Sequence, residues 1–173
     1  MAAALYRAAL CFIVLGVVFY AHRSTADEGW PAGLIANLRE VNAGQNSPQS
    51  VALEFRLLNP TDDIITVLSW YTPIEGVMNN IFEVVDESGA TLPYRGMMAK
   101  RGDPSRDALI SLRPGQSYTN VVDLASAYAF ERGHKYEVKF SHYVSLANGP
   151  LEAVAVDGLE MVMLQSNDVT VVL

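Results

Sequence analysis

Tyr136-Glu137-Val138-Lys139-Phe140-Ser141-His142-Tyr143-Val144-Ser145 is the stretch whose reading decides the fold. Tyr136, Val138, Phe140, His142 and Val144 fall on one face of an extended chain, and Glu137, Lys139, Ser141, Tyr143 and Ser145 fall on the other. A period of two is what a strand with one buried face requires; a helix would need its apolar residues three and four apart. Asn148-Gly149-Pro150 then ends the run, because Pro has no N–H for a ladder and Asn and Gly favour turns.

The same alternation extends in both directions. Upstream, Val51, Leu53, Phe55 and Leu57 oppose Ala52, Glu54 and Arg56, and Asn59-Pro60-Thr61-Asp62-Asp63 closes that strand. Ile64 to Trp70 and Ile81 to Val85 are more fully apolar runs, the second closed by a hairpin-like turn, Asp86-Glu87-Ser88-Gly89. Ala108, Ile110 and Leu112 alternate before the turn Arg113-Pro114-Gly115, and Tyr118, Val121 and Val122 run on into Asp123-Leu124. Downstream, Leu159 to Leu164 and Val169 to Leu173 read as two strands or as one with a bulge at Ser166-Asn167-Asp168. Leu34 to Val41 reads as the first strand, followed by a polar loop, Asn42 to Pro48. Leu124 to Glu131 alone has weak helical character. Seven to nine short strands with frequent turns predict an all-β fold, an immunoglobulin-like antiparallel β-sandwich without the Cys-Trp-Cys signature of true immunoglobulin domains.

Composition narrows the function. The chain has 173 residues, half of them apolar, which is enough to build a core and excludes a disordered chain. Twelve basic residues against 19 acidic ones give a net charge of −7, opposite to the basic face that nucleic-acid binding needs. At the N-terminus Arg7, the apolar run Ala8 to Tyr20 and the small residues Ser24-Thr25-Ala26 follow the order of an export signal. The run is shorter than the about 20 residues a membrane span takes. Residues 1–26 are therefore expected to be a cleaved signal peptide and 27–173 one sandwich domain in the periplasm or outside the cell, an uncleaved membrane anchor being the alternative. Cys11, the one cysteine, would leave with the signal, so no disulfide is expected.

Catalytic patterns are not found. His134 and His142 lack a partner at the i, i+4 spacing of a zinc-binding helix, and His142 falls on an inward strand face, where a core or rim histidine is expected. There is no Gly-x-Ser-x-Gly elbow and no glycine-rich phosphate loop. The carboxylate pairs Asp62-Asp63 and Asp103 with Asp107 lie in turns, which Asp favours for its local bonds to backbone N–H groups. No cofactor, metal or catalytic residue is assigned, and the chain is expected not to be an enzyme.

One set of motifs goes beyond alternation. Asn59-Pro60-Thr61-Asp62, Trp70-Tyr71-Thr72-Pro73-Ile74-Glu75-Gly76, Pro93-Tyr94-Arg95-Gly96, Lys100-Arg101-Gly102-Asp103-Pro104 and Arg113-Pro114-Gly115-Gln116 follow in order within Val51 to about Tyr143. This set resembles the N-terminal, non-catalytic domain that precedes the zinc protease domain in deuterolysin-type and peptidyl-Lys metalloendopeptidases. The His-Glu-x-x-His of the protease domain itself is not found in this sequence. The resemblance implies the role of a pro-domain, packing against a secreted metalloprotease to assist its folding or to block its cleft. Trp70, Tyr71, Pro73, Glu75, Met97, Met98, Lys100 and Arg101 are the expected partner contacts, since aromatic anchors and adaptable Met side chains dominate protein interfaces. The sandwich core is the more expected place for Trp70, and for Met97 and Met98 core and surface are equally open. A structural or envelope-associated module without a protease partner is the other function expected.

Overall fold

The computed structural model describes residues 33–41 and 50–173. The expected signal peptide and the Asn42 to Pro48 loop lie outside the described residues. The fold is an antiparallel β-sandwich of nine strands: β1 (Ile35–Glu40), β2 (Ala52–Leu58), β3 (Ile65–Leu68), β4 (Phe82–Asp86), β5 (Leu109–Leu112), β6 (Ser117–Asp123), β7 (Lys135–Asn148), β8 (Glu160–Gln165) and β9 (Val169–Val172). Short 3-10 turns are the only helical segments among the described residues, and the stretch expected to have helical character keeps one such turn, Leu124–Ser126.

The smaller sheet has the order β1-β2-β6. The larger is organised by β7, whose 14 residues are long enough to hold four partners. Its first half pairs with β4 on one side and β9 on the other; its second half pairs with β3 and β8, and β5 extends the sheet beyond β3. The Ser166-Asn167-Asp168 segment is the break between β8 and β9, where Ser166 N donates to Phe140 O at 3.0 Å.

Alternation along β2 and β7 supplies the core. Leu53, Phe55 and Leu57 from the small sheet meet Val138, Phe140 and Val144 from the large one. Phe55 and Phe140 touch edge-to-face at a centroid distance of 5.2 Å, and Phe82, opposite Phe140 in the ladder, adds a second such contact at 6.1 Å. Aromatic pairs of this geometry add about 0.5–1.5 kcal/mol beyond the area they bury. Asn59 is fully buried where β2 ends; its amide donates to Asp63 O (2.7 Å) and Leu112 O (2.8 Å), and its Oδ1 accepts from Thr61 N (3.0 Å). The Asn-Pro-Thr-Asp turn expected from sequence is thus tied to β5.

Candidate binding surface

Beyond Leu68 the ladder continues only as far as Ser69, whose N–H donates to Ala108 O at 2.8 Å. The chain then reverses. Tyr71 takes φ 60°, the single non-glycine residue with positive φ among the described residues. A side chain in this left-handed region costs about 1 kcal/mol, so something must hold it there. Its N–H donates to Glu75 Oε1 at 3.0 Å. Thr72 caps the next turn: its hydroxyl donates to Ser69 O (2.5 Å) and accepts from Ile74 N (3.3 Å), and Pro73 takes the first helical position, where no N–H is needed. Gly76, at φ 94°, ends the turn with its N–H donating to Pro73 O.

Residues 94–101 come back to the same place. Ala99 N donates to Met78 O (2.9 Å), and the Tyr94 hydroxyl donates to Met97 O at 2.5 Å. Gly96 leaves no room for a side chain, since a Cβ there would lie 2.6 Å from the Tyr94 oxygen and 2.8 Å from Ala127 Cβ. The segment ends at Arg101, whose Nη2 donates to Glu75 Oε2 and whose guanidinium carbon lies 5.0 Å from the centre of the Trp70 ring. Its buried Nε has no hydrogen-bond acceptor, and the cation as a whole lies over the indole. One carboxylate therefore joins two motifs: one oxygen holds the backbone of Tyr71, the other holds Arg101.

The eight expected contacts lie in different surroundings. Met97 and Met98 stand out at 67% and 71% exposure, so they do not fill the core, and Lys100 is exposed beside them. Trp70 is half-buried under Arg101 and outside the core cluster, contrary to the expectation that placed it inside. Pro73 is buried, and Glu75 and Arg101 keep only 14% and 24% of their side chains accessible. These three build the surface rather than project from it. Tyr71 packs its ring 5.4 Å from that of His142. His142 does lie on the inward phase of β7, half-buried, and burial pushes its pKa below the ordinary histidine value. No group of three or more His, Cys, Asp or Glu residues among the described residues is placed to hold a metal ion.

A cleft of about 540 Å³ separates these loops from β6. Gly76, Val77 and Met78 line it from the first loop, Arg95 and Met97 from the second, and Val121 from β6. Two β6 residues that the sequence reading left out of the site belong to it. Asn120 donates its amide to Pro73 O (2.9 Å) and Ile74 O (3.2 Å), anchoring the turn to the sheet. Val121 is 53% exposed on the polar phase of its strand. The signal was the break in period, since Tyr118 and Val121 cannot both lie on the face that Val122 buries.

No family model and no curated protein matches the chain. Among solved structures it is similar to one described as "X-ray structure of Northeast Structural Genomics Consortium target SoR45", with 10% sequence identity and a TM-score of 0.39, covering 81% of this chain and 85% of that one.

Proposed function

We propose that this chain is an exported, non-enzymatic β-sandwich that binds a secreted metalloprotease of the deuterolysin type, as an inhibitor or folding helper. The observation that carries the reading is the junction at Glu75. The Trp-Tyr-Thr-Pro-Ile-Glu-Gly and Lys-Arg-Gly-Asp-Pro segments, which carry the resemblance to the protease pro-domain, meet through the Arg101–Glu75 ion pair and the Arg101–Trp70 contact. That junction holds up Met97 and Met98, two large and adaptable apolar side chains exposed next to Lys100. Such side chains lose contact with water favourably only when a partner covers them.

The test is to add the purified protein to a deuterolysin-type protease, following peptide hydrolysis by the native enzyme and the yield of activity on refolding the denatured one. A fall in rate or a rise in yield at micromolar excess is expected, and both effects should weaken in a Met97→Ser, Met98→Ser variant. Unchanged rate and unchanged yield would overturn the proposal.

A further inference from the structure

The cleft beside β6 has a feature that exposed loops do not provide. The phase of the β2–β6 ladder is set at both ends, by Leu124 N donating to Val51 O (2.9 Å) and by Asn59 N donating to Gln116 O (3.0 Å). In an antiparallel ladder the hydrogen-bonded residues alternate, so Tyr118, Asn120 and Val122 turn their amides toward β2. Thr119 and Val121 turn theirs away from β2, and Val121 lines the cleft. β6 is the edge of its sheet, and on that side the N–H and C=O of Thr119 and Val121 have no hydrogen-bond partner among the described residues. Both residues are exposed.

The other edge of the same sheet is protected. The side chain of Asn167 accepts from Leu38 N (2.9 Å) and donates to Leu38 O (3.0 Å), occupying the outward amide of β1 as a neighbouring strand would. β4 is likewise covered by the segment that follows it, through Leu92 N to Val84 O and the bridge between Val85 and Thr91. At β6 there is no such backbone cover among the described residues, and its last residues, Val121 to Asp123, line a cleft.

We infer that the β6 edge and its cleft accept an extended segment of a partner protein, alternating apolar and acidic residues, as an added strand. Backbone bonds to Thr119 and Val121 would supply affinity, and Val121 and Met97 would receive the apolar side chains. Charge selects the acidic character. Arg95, the one cation lining the cleft, forms no ion pair with any described residue. The one acid lining the cleft, Asp123, spends its carboxylate on Ser50 Oγ (2.8 Å), Val51 N (2.9 Å) and Ala125 N (3.0 Å). The edge from Thr119 to Asp123 fits a peptide of about five to seven residues at about 3.3 Å each. The inference rests on the protein-binding reading above and names where the partner chain would lie.

The experiment measures fluorescence anisotropy with three labelled, acetylated peptides of about seven residues, alternating Val with Glu, Thr or Lys. The Glu peptide should bind tighter than the Lys peptide by about three- to tenfold. Val121→Pro should abolish binding while leaving the unfolding midpoint nearly unchanged, because the N–H it removes faces away from β2. N-methylation of the peptide should abolish binding in one register and spare it when shifted by one residue. Failure of all three peptides to bind at about 1 mM, or binding that survives Val121→Pro, would overturn the inference. So would a dimer of the protein that Val121→Pro dissolves, since a second copy would then hold the site. A protease effect that persists without peptide binding would leave the proposed function standing; peptide binding without a protease effect would do the reverse.

Discussion

Glu75 has the most work of any single side chain, because it stabilises a left-handed Tyr71 and a half-buried guanidinium at once. Removing either partner of the ion pair leaves the other with less than its full set of bonds. Glu75→Gln and Arg101→Met should each destabilise the protein by about 1–2 kcal/mol, with a coupling energy near 1 kcal/mol in the double mutant, read from urea unfolding. Additive effects would show that the pair is screened to insignificance. His142 gives a pH test at the same scale. Its folded-state pKa lies below the ordinary value of 6.5, so the unfolded chain takes up the proton first. This contribution to stability is complete above 6.5 and is lost as the pH falls below it. The unfolding free energy should therefore drop between about pH 7 and pH 5, and a His142→Phe variant should lose less over that range. Equal losses in both proteins would assign the drop to other groups. Glu54, held below the usual range by its bond to Arg39, and Asp86, held there by Ser88, come into play only at lower pH.

At the scale of elements, β7 carries the large sheet and Asn167 joins the two sheets. An Asn167→Ala change removes two hydrogen bonds to Leu38 and bares the β1 edge. We expect a loss of about 1–2 kcal/mol and concentration-dependent association in sedimentation, since an uncovered edge pairs with other chains. A variant that stays monomeric at wild-type stability would contradict this account of the edge. The strands were legible wherever one face is buried and the other wet, as in β2 and β7, because period two then has no competitor. The turns Asn59 to Asp63 and Arg113 to Gly115 were legible from their turn residues. Trp70 was not. Its place depends on Arg101, some 30 positions away, and on a Glu75 carboxylate that alternation does not weigh. The cleft was hidden for the same reason: its walls come from three separated segments. Only Val121, apolar on the polar phase of its own strand, marked β6 as unusual.

For the whole molecule, two sheets share one core of Leu, Val, Ile and aromatic residues, and no described helix is long and apolar enough to cross a membrane. What the core leaves at the surface is uneven: Met97, Met98, Tyr118 and Val121 are all exposed, with Met97 and Val121 both lining one cleft. We propose that this side of the sandwich recognises a protein. The most direct measurement is a calorimetric titration of the protein into a deuterolysin-type protease, alongside the Met97→Ser, Met98→Ser variant. A complex with a dissociation constant of about 1 μM or tighter is expected, weakened about tenfold or more by the double change, while surface substitutions of this kind alter stability by about 0.5 kcal/mol or less. No heat of binding at any accessible concentration, or an affinity indifferent to both methionines, would contradict it.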